Sequence, residues 1–555
     1  MKSLAARGSF KLLFLTPIAV HQKLHHWLLL VCLSIWLSGC ASLPSVVDRP
    51  VSSALANPLT TRLGQLVQAR AAQAGTHNDS GFALVGNAEL AFTSRMTLIK
   101  AAQKTLDIQY YAIFSDDTTE RLFDALREAA GRGVRIRILL DDFNTSGDNA
   151  QVLKLAFEKN FEMRLFNPLP GGRTSMMLRI LSNLSDLARI QRRMHNKIFI
   201  ADNAVAITGG RNLGETYFGQ SKGTNFVDID VLAAGRISRD LSRSFDQYWN
   251  NPLAYPVQSL MTIAEVERIK PALLNGKSES RTIAFEAVSD TGNGAPNQSD
   301  LPLLPESTDL RLLTWTWAPS VLLVDKPSKI AADIDDVAEA QETTVDGLLH
   351  LMAQAKTDLL IVSPYFVPGE LMMRRFADLR KRGIRIRVLT NSLASNDAPA
   401  AHAGYVRYRE ALLEMGIEIY EMRAEQKGTL RGFGFGRGAT EGAIGSSQAS
   451  LHAKVVVVDS RLLVVGSMNL DLRSQLQNSE VAILIRNRIM AAEAIRMIEP
   501  ALWRGAYQVE LADGQLMWRA PKGSYLQDST TEPDASFALK LLIKLIGPLA
   551  PEEML

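Results

Sequence analysis

His195-Asn196-Lys197, then Asp202, then Gly209-Gly210-Arg211-Asn212: this stretch returns later as His452-Ala453-Lys454, then Asp459, then Gly466-Ser467-Met468-Asn469. In both copies Lys follows His by two residues, Asp by seven and Asn by seventeen. Accidental agreement at so many fixed positions is on the order of one in a million per starting residue, so the chain repeats itself. Between His and Asp run Ile198-Phe199-Ile200-Ala201 and Val455-Val456-Val457-Val458. Such short apolar runs read as buried strands, on which His and Lys share a face by the two-residue period. A second strand follows and ends in a small-residue turn carrying the Asn.

Upstream of each copy the repeat continues. Lys104-Thr105-Leu106-Asp107-Ile108-Gln109-Tyr110-Tyr111 parallels Lys356-Thr357-Asp358-Leu359-Leu360-Ile361-Val362-Ser363-Pro364-Tyr365-Phe366, and Gly133-Val134-Arg135-Ile136-Arg137-Ile138-Leu139 parallels Gly383-Ile384-Arg385-Ile386-Arg387-Val388-Leu389. The alternation in the second pair predicts a strand with one wet face. Amphipathic helices precede it over Thr119–Gly131 and Leu371–Lys381. Strand–helix–strand twice over predicts an α/β fold rather than a sandwich, with one domain per repeat. The expected boundaries are 40–80 for a tether and first helix, 81–255 and 341–510 for the domains, 256–340 for a linker centred on the polar Ser289–Glu306, and 511–555 for a tail with an amphipathic helix.

The 555 residues carry a formal charge of +3, and the basic excess lies in residues 1–39, where Lys2, Arg7, Lys11 and Lys23 meet no acid; without them the charge is −1. That near-neutral balance disfavours a general nucleic-acid binder. The only cysteines are Cys32 and Cys40, so nothing beyond residue 40 can form a disulfide or a cysteine–metal site. A short apolar run, Trp27–Trp36, leads into Leu37-Ser38-Gly39-Cys40. The run is too short to span a bilayer comfortably and ends like a cleavage site. Leu-Ser-Gly-Cys resembles the lipobox of bacterial lipoproteins, which implies a signal peptide over 1–39, lipidation of Cys40 and a periplasm-facing place in the cell envelope. The inner and outer membranes both stay open, with Ala41-Ser42 favouring the outer.

One repeat offers an imidazole, an ammonium and amide donors; two facing repeats offer two of each. That set suits a phosphodiester, with cations on the phosphoryl oxygens, one imidazole attacking phosphorus and the other protonating the leaving alcohol. No divalent metal or other cofactor is needed. The doubled pattern, over about residues 80–510, resembles the phospholipase D superfamily, and the resemblance implies two phospholipase D-type α/β domains, each a mixed β-sheet flanked by helices, pseudo-two-fold related with the active site between them. The resemblance implies a catalytic set of His195, Lys197, Asp202, His452, Lys454 and Asp459, with His195 becoming the phosphohistidine, His452 the acid and then base, and the two aspartates holding the strand turn. It also implies phosphate binding by Asn212, Ser467 and Asn469, Gly210 leaving one hydroxyl missing, and histidine-orienting acids on the next strand. Glu480 fits that place in the second copy and Asp228 in the first, with Asp230 a nearby competitor.

The Asp397–Leu413 stretch with His402, the Trp315–Lys329 stretch with Asp325-Lys326-Pro327, and the apolar C-terminus resemble the cardiolipin synthase C branch. That branch implies phosphatidyl transfer to phosphatidylglycerol, with phosphatidylglycerol or phosphatidylethanolamine as partner substrate, at a membrane. A hydrolytic phospholipase D or phosphodiesterase (including a nuclease) and a non-enzymatic envelope scaffold are the other classes open. His402 is expected either to line the pocket or to serve structurally. Phe537–Ile546, with Lys540 and Lys544 one turn apart, is expected either to lie at a bilayer or to cap the core. The glycine-rich, basic 427–447 is expected to form a lid or a surface loop.

Overall fold

The computed structural model describes residues 42–221, 223–269, 309–310, 313–331, 343–425 and 448–547. The signal and lipidation readings and the 427–447 lid lie outside them. In the first half, helix α1 (Arg62–Gln73) precedes β1 (Ser80–Val85), α2 (Ala88–Ala101), β2 (Thr105–Tyr110), α3 (Asp117–Gly131), β3 (Arg135–Asp141) and β4 (Phe161–Phe166). There follow α4 (Met176–Ser182), α5 (Leu187–Gln191), β5 (Ile198–Ala201), β6 (Val205–Gly209), β7 (Thr224–Val227), β8 (Asp230–Ala234), α6 (Arg236–Trp249) and β9 (Ala254–Pro256). Within the expected linker lie β10 (Thr316–Ala318) and β11 (Ser320–Val324). The second half runs α7 (Thr344–Met352), β12 (Asp358–Val362), α8 (Gly369–Lys381), β13 (Arg385–Asn391), α9 (Pro399–Glu414), β14 (Glu418–Met422), β15 (Gln448–Leu451), β16 (Val455–Val458) and β17 (Leu462–Gly466). It closes with α10 (Leu472–Leu476), β18 (Val481–Arg486), α11 (Arg488–Arg504), β19 (Ala506–Ala512), β20 (Gln515–Arg519) and α12 (Phe537–Ile546).

Two nine-stranded mixed sheets result, in the orders β10-β1-β8-β6-β5-β2-β3-β4-β9 and β11-β18-β17-β16-β12-β13-β14-β19-β20. The sequence repeat thus reappears as one strand order. β11 stands beside β18 as β1 stands beside β8, each pair antiparallel, so this part of the expected linker is the opening strand of the second repeat, and β10 extends the first sheet. The second domain likewise runs past residue 510, since β20 completes its sheet. Residues 49–55 are no loose tether: Arg49, Ser52 and Ala54 bond to Ala254, Asn250 and Asp246.

Local chemistry explains the pieces. Asp116 and Thr119 close a capping box at the start of α3, which satisfies two otherwise orphaned donors. The tight β5–β6 and β16–β17 turns, with three residues between the last paired positions, place Asp202-Asn203 and Asp459-Ser460 in the left-handed region, which these short polar residues tolerate. β3 corrects an expectation, because it has no wet face. Arg137 is fully buried, bonded to Asp107 at 2.7 Å and Asp246 at 2.8 Å and stacked on Phe245 and Trp249. Paired charges let the alternating pattern exist inside the protein.

One core joins the halves. Ile198, Ile200 and Val231 of the first sheet pack with Val455, Val457 and Ile483 of the second, and with Phe245 of α6 and Ile498 of α11. Separate cores lie beneath the other helices of each half. β7 and β15, one from each half, form a parallel two-stranded ladder. That ladder brings the two histidine stretches to the seam.

Candidate active site

β5 is antiparallel to β2, so His195, just before β5, lies at the C-terminal end of the parallel strands β2, β3 and β4. His452, just before β16, holds the same place in the second sheet. Backbone bonds then lock each histidine to the opposite half. His195 N donates to Ser479 O at 2.9 Å and Ser479 N to Arg193 O at 3.0 Å; His452 N donates to Val227 O at 2.8 Å. Ser479 and Val227 each precede an acid. His195 Nδ1 therefore meets both carboxylate oxygens of Glu480 at 3.0 Å, and His452 Nδ1 meets Asp228 Oδ2 at 2.7 Å.

The acids are crossed between the copies. Glu480, read as the second copy's acid, orients the first copy's histidine, and Asp228 does the reverse. The reason is the seam: the strand that carries each acid enters it beside the partner's histidine. Asp230 is no competitor, being engaged by Arg95 at 3.0 Å and Arg211 at 3.4 Å. A carboxylate on Nδ1 fixes the proton there and leaves Nε2 as the free base.

The lysines follow the period of their strands. Lys197 Nζ donates to His195 O at 2.8 Å and Lys454 Nζ to His452 O at 2.5 Å. Both are buried, and burial above all lowers them, to about 7 and about 8. Each histidine falls well below its usual value, first by burial and then by the charges of both lysines; His195 also acts on His452. The four groups therefore share one electrostatic site. Burial pushes Glu480 up to about 7 against the pull of Lys197 and raises Asp228 against Arg211. Tyr111 packs edge-on to His195 at 5.0 Å, and Tyr217 and Phe226 pack on His452 at 5.2 and 5.1 Å.

The remaining expected residues divide. Ser467 is no free phosphate donor: its hydroxyl donates to Glu480 Oε2 and accepts from Val481 N. Gly210 is not a vacant donor position either, because a Cβ there would meet both Asp228 carboxylate oxygens at 2.5 Å. Asn212 accepts from Ala112 N and donates to Tyr217 Oη at 2.9 Å. Asn469 keeps a buried Oδ1 without a partner. Asp202 accepts from the backbone N–H groups of Gln103, Lys104 and Thr105, and Asp459 from those of Lys356, Thr357 and Asp358. They sit just past the ends of β5 and β16 that lie away from the histidines, where these bonds hold the turn. His402 is structural as well: it is buried, 3.5 Å from Glu532 and packed on Tyr405.

Sequence reasoning missed a clasp around Glu480. Asp325 exchanges backbone and side-chain bonds with the Glu480 backbone (Asp325 N to Glu480 O, 3.0 Å; Glu480 N to Asp325 Oδ2, 2.9 Å). Lys329 bonds Asp325 at 2.8 Å and Ser474 O at 2.9 Å, and the Ser474 hydroxyl donates to Glu480 Oε1 at 2.9 Å. The four-residue spacing of Asp325 and Lys329 was the available signal. Tyr111 lay inside the first repeat, and nothing local marked Tyr217 or Phe226.

The family model described as "Cardiolipin synthase, PLD-like domain" matches residues 96–249 and 348–502. Over 476 residues the chain is 35% identical to cardiolipin synthase C of Escherichia coli (strain K12), covering 84% of this chain and 94% of that one. It is 31% identical over 529 residues to an uncharacterized protein of Helicobacter pylori (strain ATCC 700392 / 26695), covering 95% and 99%. The crystal structure of a phosphatidylserine synthase from Haemophilus influenzae Rd KW20 matches with a TM-score of 0.53 over 88% of this chain and 99% of its own, at 14% identity, a likeness of fold. Two such domains and their paired histidines define a phospholipase D superfamily enzyme, of the phosphatidyltransferase class. Within that superfamily the chain belongs to the cardiolipin synthase family.

Proposed function

We propose that this enzyme moves a phosphatidyl group from one membrane phospholipid to the alcohol of another through a phosphohistidine, making cardiolipin from phosphatidylglycerol with a second phosphatidylglycerol or with phosphatidylethanolamine. The observation that carries the mechanism is the crossed pair, His195 on Glu480 and His452 on Asp228, with Lys197 and Lys454 acting on both. The named relatives support the lipid substrates.

His195 is neutral in the buried site and attacks phosphorus through Nε2. A nitrogen–phosphorus bond forms as the bond to the leaving alcohol breaks. His452, protonated on Nε2, gives that proton to the departing oxygen, and Asp228 stabilises its charged form. The arriving phosphodiester anion stabilises the charged forms that burial disfavours in the lysines and His452, so the substrate charges the site that binds it. Neutral His452 then takes the proton of the incoming alcohol, whose oxygen displaces His195 from phosphorus. Asn212 and Asn469 flank the phosphate. Cys40 carries the lipid anchor that holds the enzyme in the envelope facing the periplasm, the outer membrane being favoured; loss of fatty-acid labelling in Cys40→Ser tests this.

The test of function is labelled phosphatidylglycerol, with and without phosphatidylethanolamine, given to the parent, His195→Ala and His452→Ala. Cardiolipin from the parent alone, with a trapped phosphoenzyme that needs His195, is the expected result. Unchanged synthesis in both variants overturns the reading. Phosphatidic acid in place of cardiolipin, despite excess acceptor, assigns water as the resolving nucleophile.

A further inference from the structure

Two chain-distant segments carry large apolar side chains that nothing in the described structure covers. One is α4–α5, between β4 and His195: Met177, Leu178 and Leu181 are exposed, Met177 by 72%. The other is α12, where Phe537, Leu541 and Leu545 are exposed, Phe537 by 81%. In α12 these three residues repeat every fourth position and so form one stripe. The opposite stripe does the docking, with Ile543 and Leu539 on Leu393 and Ala403. The helix thus covers a small apolar cluster beside α9 and presents a second apolar face outward. Lys540 and Lys544 run along its flank, and Lys544 is exposed.

Both segments rise from the strand ends that carry the histidines. Leu393, beneath α12, lies two residues after β13 ends at Asn391. The α4–α5 segment is rooted on Asp142, the residue after β3, which holds Arg173 and Arg179 in buried ion pairs. Neighbouring Asp141 accepts from Met194 N at 2.8 Å, one residue before His195. The segment is therefore rigid at its base and apolar at its tip, and its base is built into the support of the site. An unbroken apolar stripe flanked by lysines matches the headgroup boundary of an anionic bilayer: apolar side chains enter the acyl layer while the flanking ammonium groups meet anionic headgroups.

We propose that the exposed faces of α4–α5 and α12 together form a lipid-docking rim that seats the histidine-bearing end of the molecule on an anionic phospholipid surface. This rests on the reading of membrane phospholipids as substrates. Docking brings the phosphodiester to the mouth of the site while Asp142 keeps α4–α5 from collapsing over it.

The test compares hydrogen–deuterium exchange of the full chain alone, with phosphatidylglycerol vesicles and with phosphatidylcholine vesicles. A lipid anchor tethers the chain without covering these segments, so slowing confined to 176–187 and 537–546, stronger with phosphatidylglycerol, is the expected result. Leu541→Glu/Leu545→Glu and Met177→Glu/Leu181→Glu are each expected to reduce turnover of vesicle substrate by about tenfold or more while keeping parental turnover in detergent mixed micelles, which also reports intact folding. Exchange unaltered by either vesicle overturns the proposal. So does protection that grows with protein concentration without lipid, which assigns the faces to a second copy. A parent inactive on phospholipid in both formats refutes the transferase reading, and the exchange data still decide docking.

Discussion

Replacing Glu480 with Gln separates chemistry from stability, because the carboxylate aids one and costs the other. In the folded protein Glu480 faces His195 Nδ1 at 3.0 Å and receives the hydroxyls of Ser467 and Ser474. When His195 is phosphorylated its ring becomes cationic, and the carboxylate stabilises that charge. A hydrogen bond to a charged partner contributes about 1.5–3 kcal/mol, so Glu480→Gln should lower kcat/KM roughly ten- to a hundred-fold. The stability effect has the opposite sign. Burial lifts the carboxyl from its ordinary 4.5 to about 7. A folded-state value above the unfolded one gives stability that is full below about pH 4.5 and lost as pH rises through about 7. The parent at pH 8 therefore bears a cost on the order of 3 kcal/mol that an amide escapes. The variant should melt at or above the parent at pH 8, and the difference should close as pH falls toward 4.5. The assay is kcat/KM from pH 5.5 to 9 on labelled phosphatidylglycerol in mixed micelles, with thermal melts at each pH. In the parent, the acid limb should lie near pH 7, where Glu480 gains its proton, and it should flatten in the variant. A variant that melts several degrees lower at pH 8 and keeps full activity per folded molecule would refute the argument.

Removing Lys329 (Lys329→Met) takes away a cation that holds Glu480 ionised, so the acid limb of kcat/KM should move to higher pH; an unmoved limb contradicts the clasp. Asp202→Ala strips an acceptor from three backbone N–H groups and should cost about 3 kcal/mol in urea unfolding with specific activity per folded molecule near that of the parent. Gly210→Ala sets a methyl 2.5 Å from both Asp228 oxygens, which displaces the partner of His452. Its kcat should fall at least about tenfold with little change in the phosphoenzyme yield of a good leaving group, as quench-flow measurement can check.

The repeat was legible because strands announce themselves locally. Val455–Val458 is apolar throughout, and the hairpin turns carry Asp-Asn and Asp-Ser at the positions that need them. Two kinds of fact were not legible. Arg137 alternates with isoleucines as a solvent-facing residue would, yet Asp107 and Asp246, far apart in the chain, make its burial tolerable. The crossing of Glu480 and Asp228 was hidden for a related reason. Spacing reveals which acid belongs to which repeat, whereas its target is set by how the halves meet. Ser467 misled similarly, since its hydroxyl could serve a phosphate or a carboxylate and only the fold chooses the carboxylate.

The crossed carboxylates make the two repeats mutually dependent. Neither half holds a complete acid–imidazole couple, so an isolated repeat should be inert however well it folds, and separately expressed halves should regain activity only on association. A slight parting of the halves would strip both imidazoles of their counter-ions at the same moment. Chemistry and assembly are in this way governed by one latch.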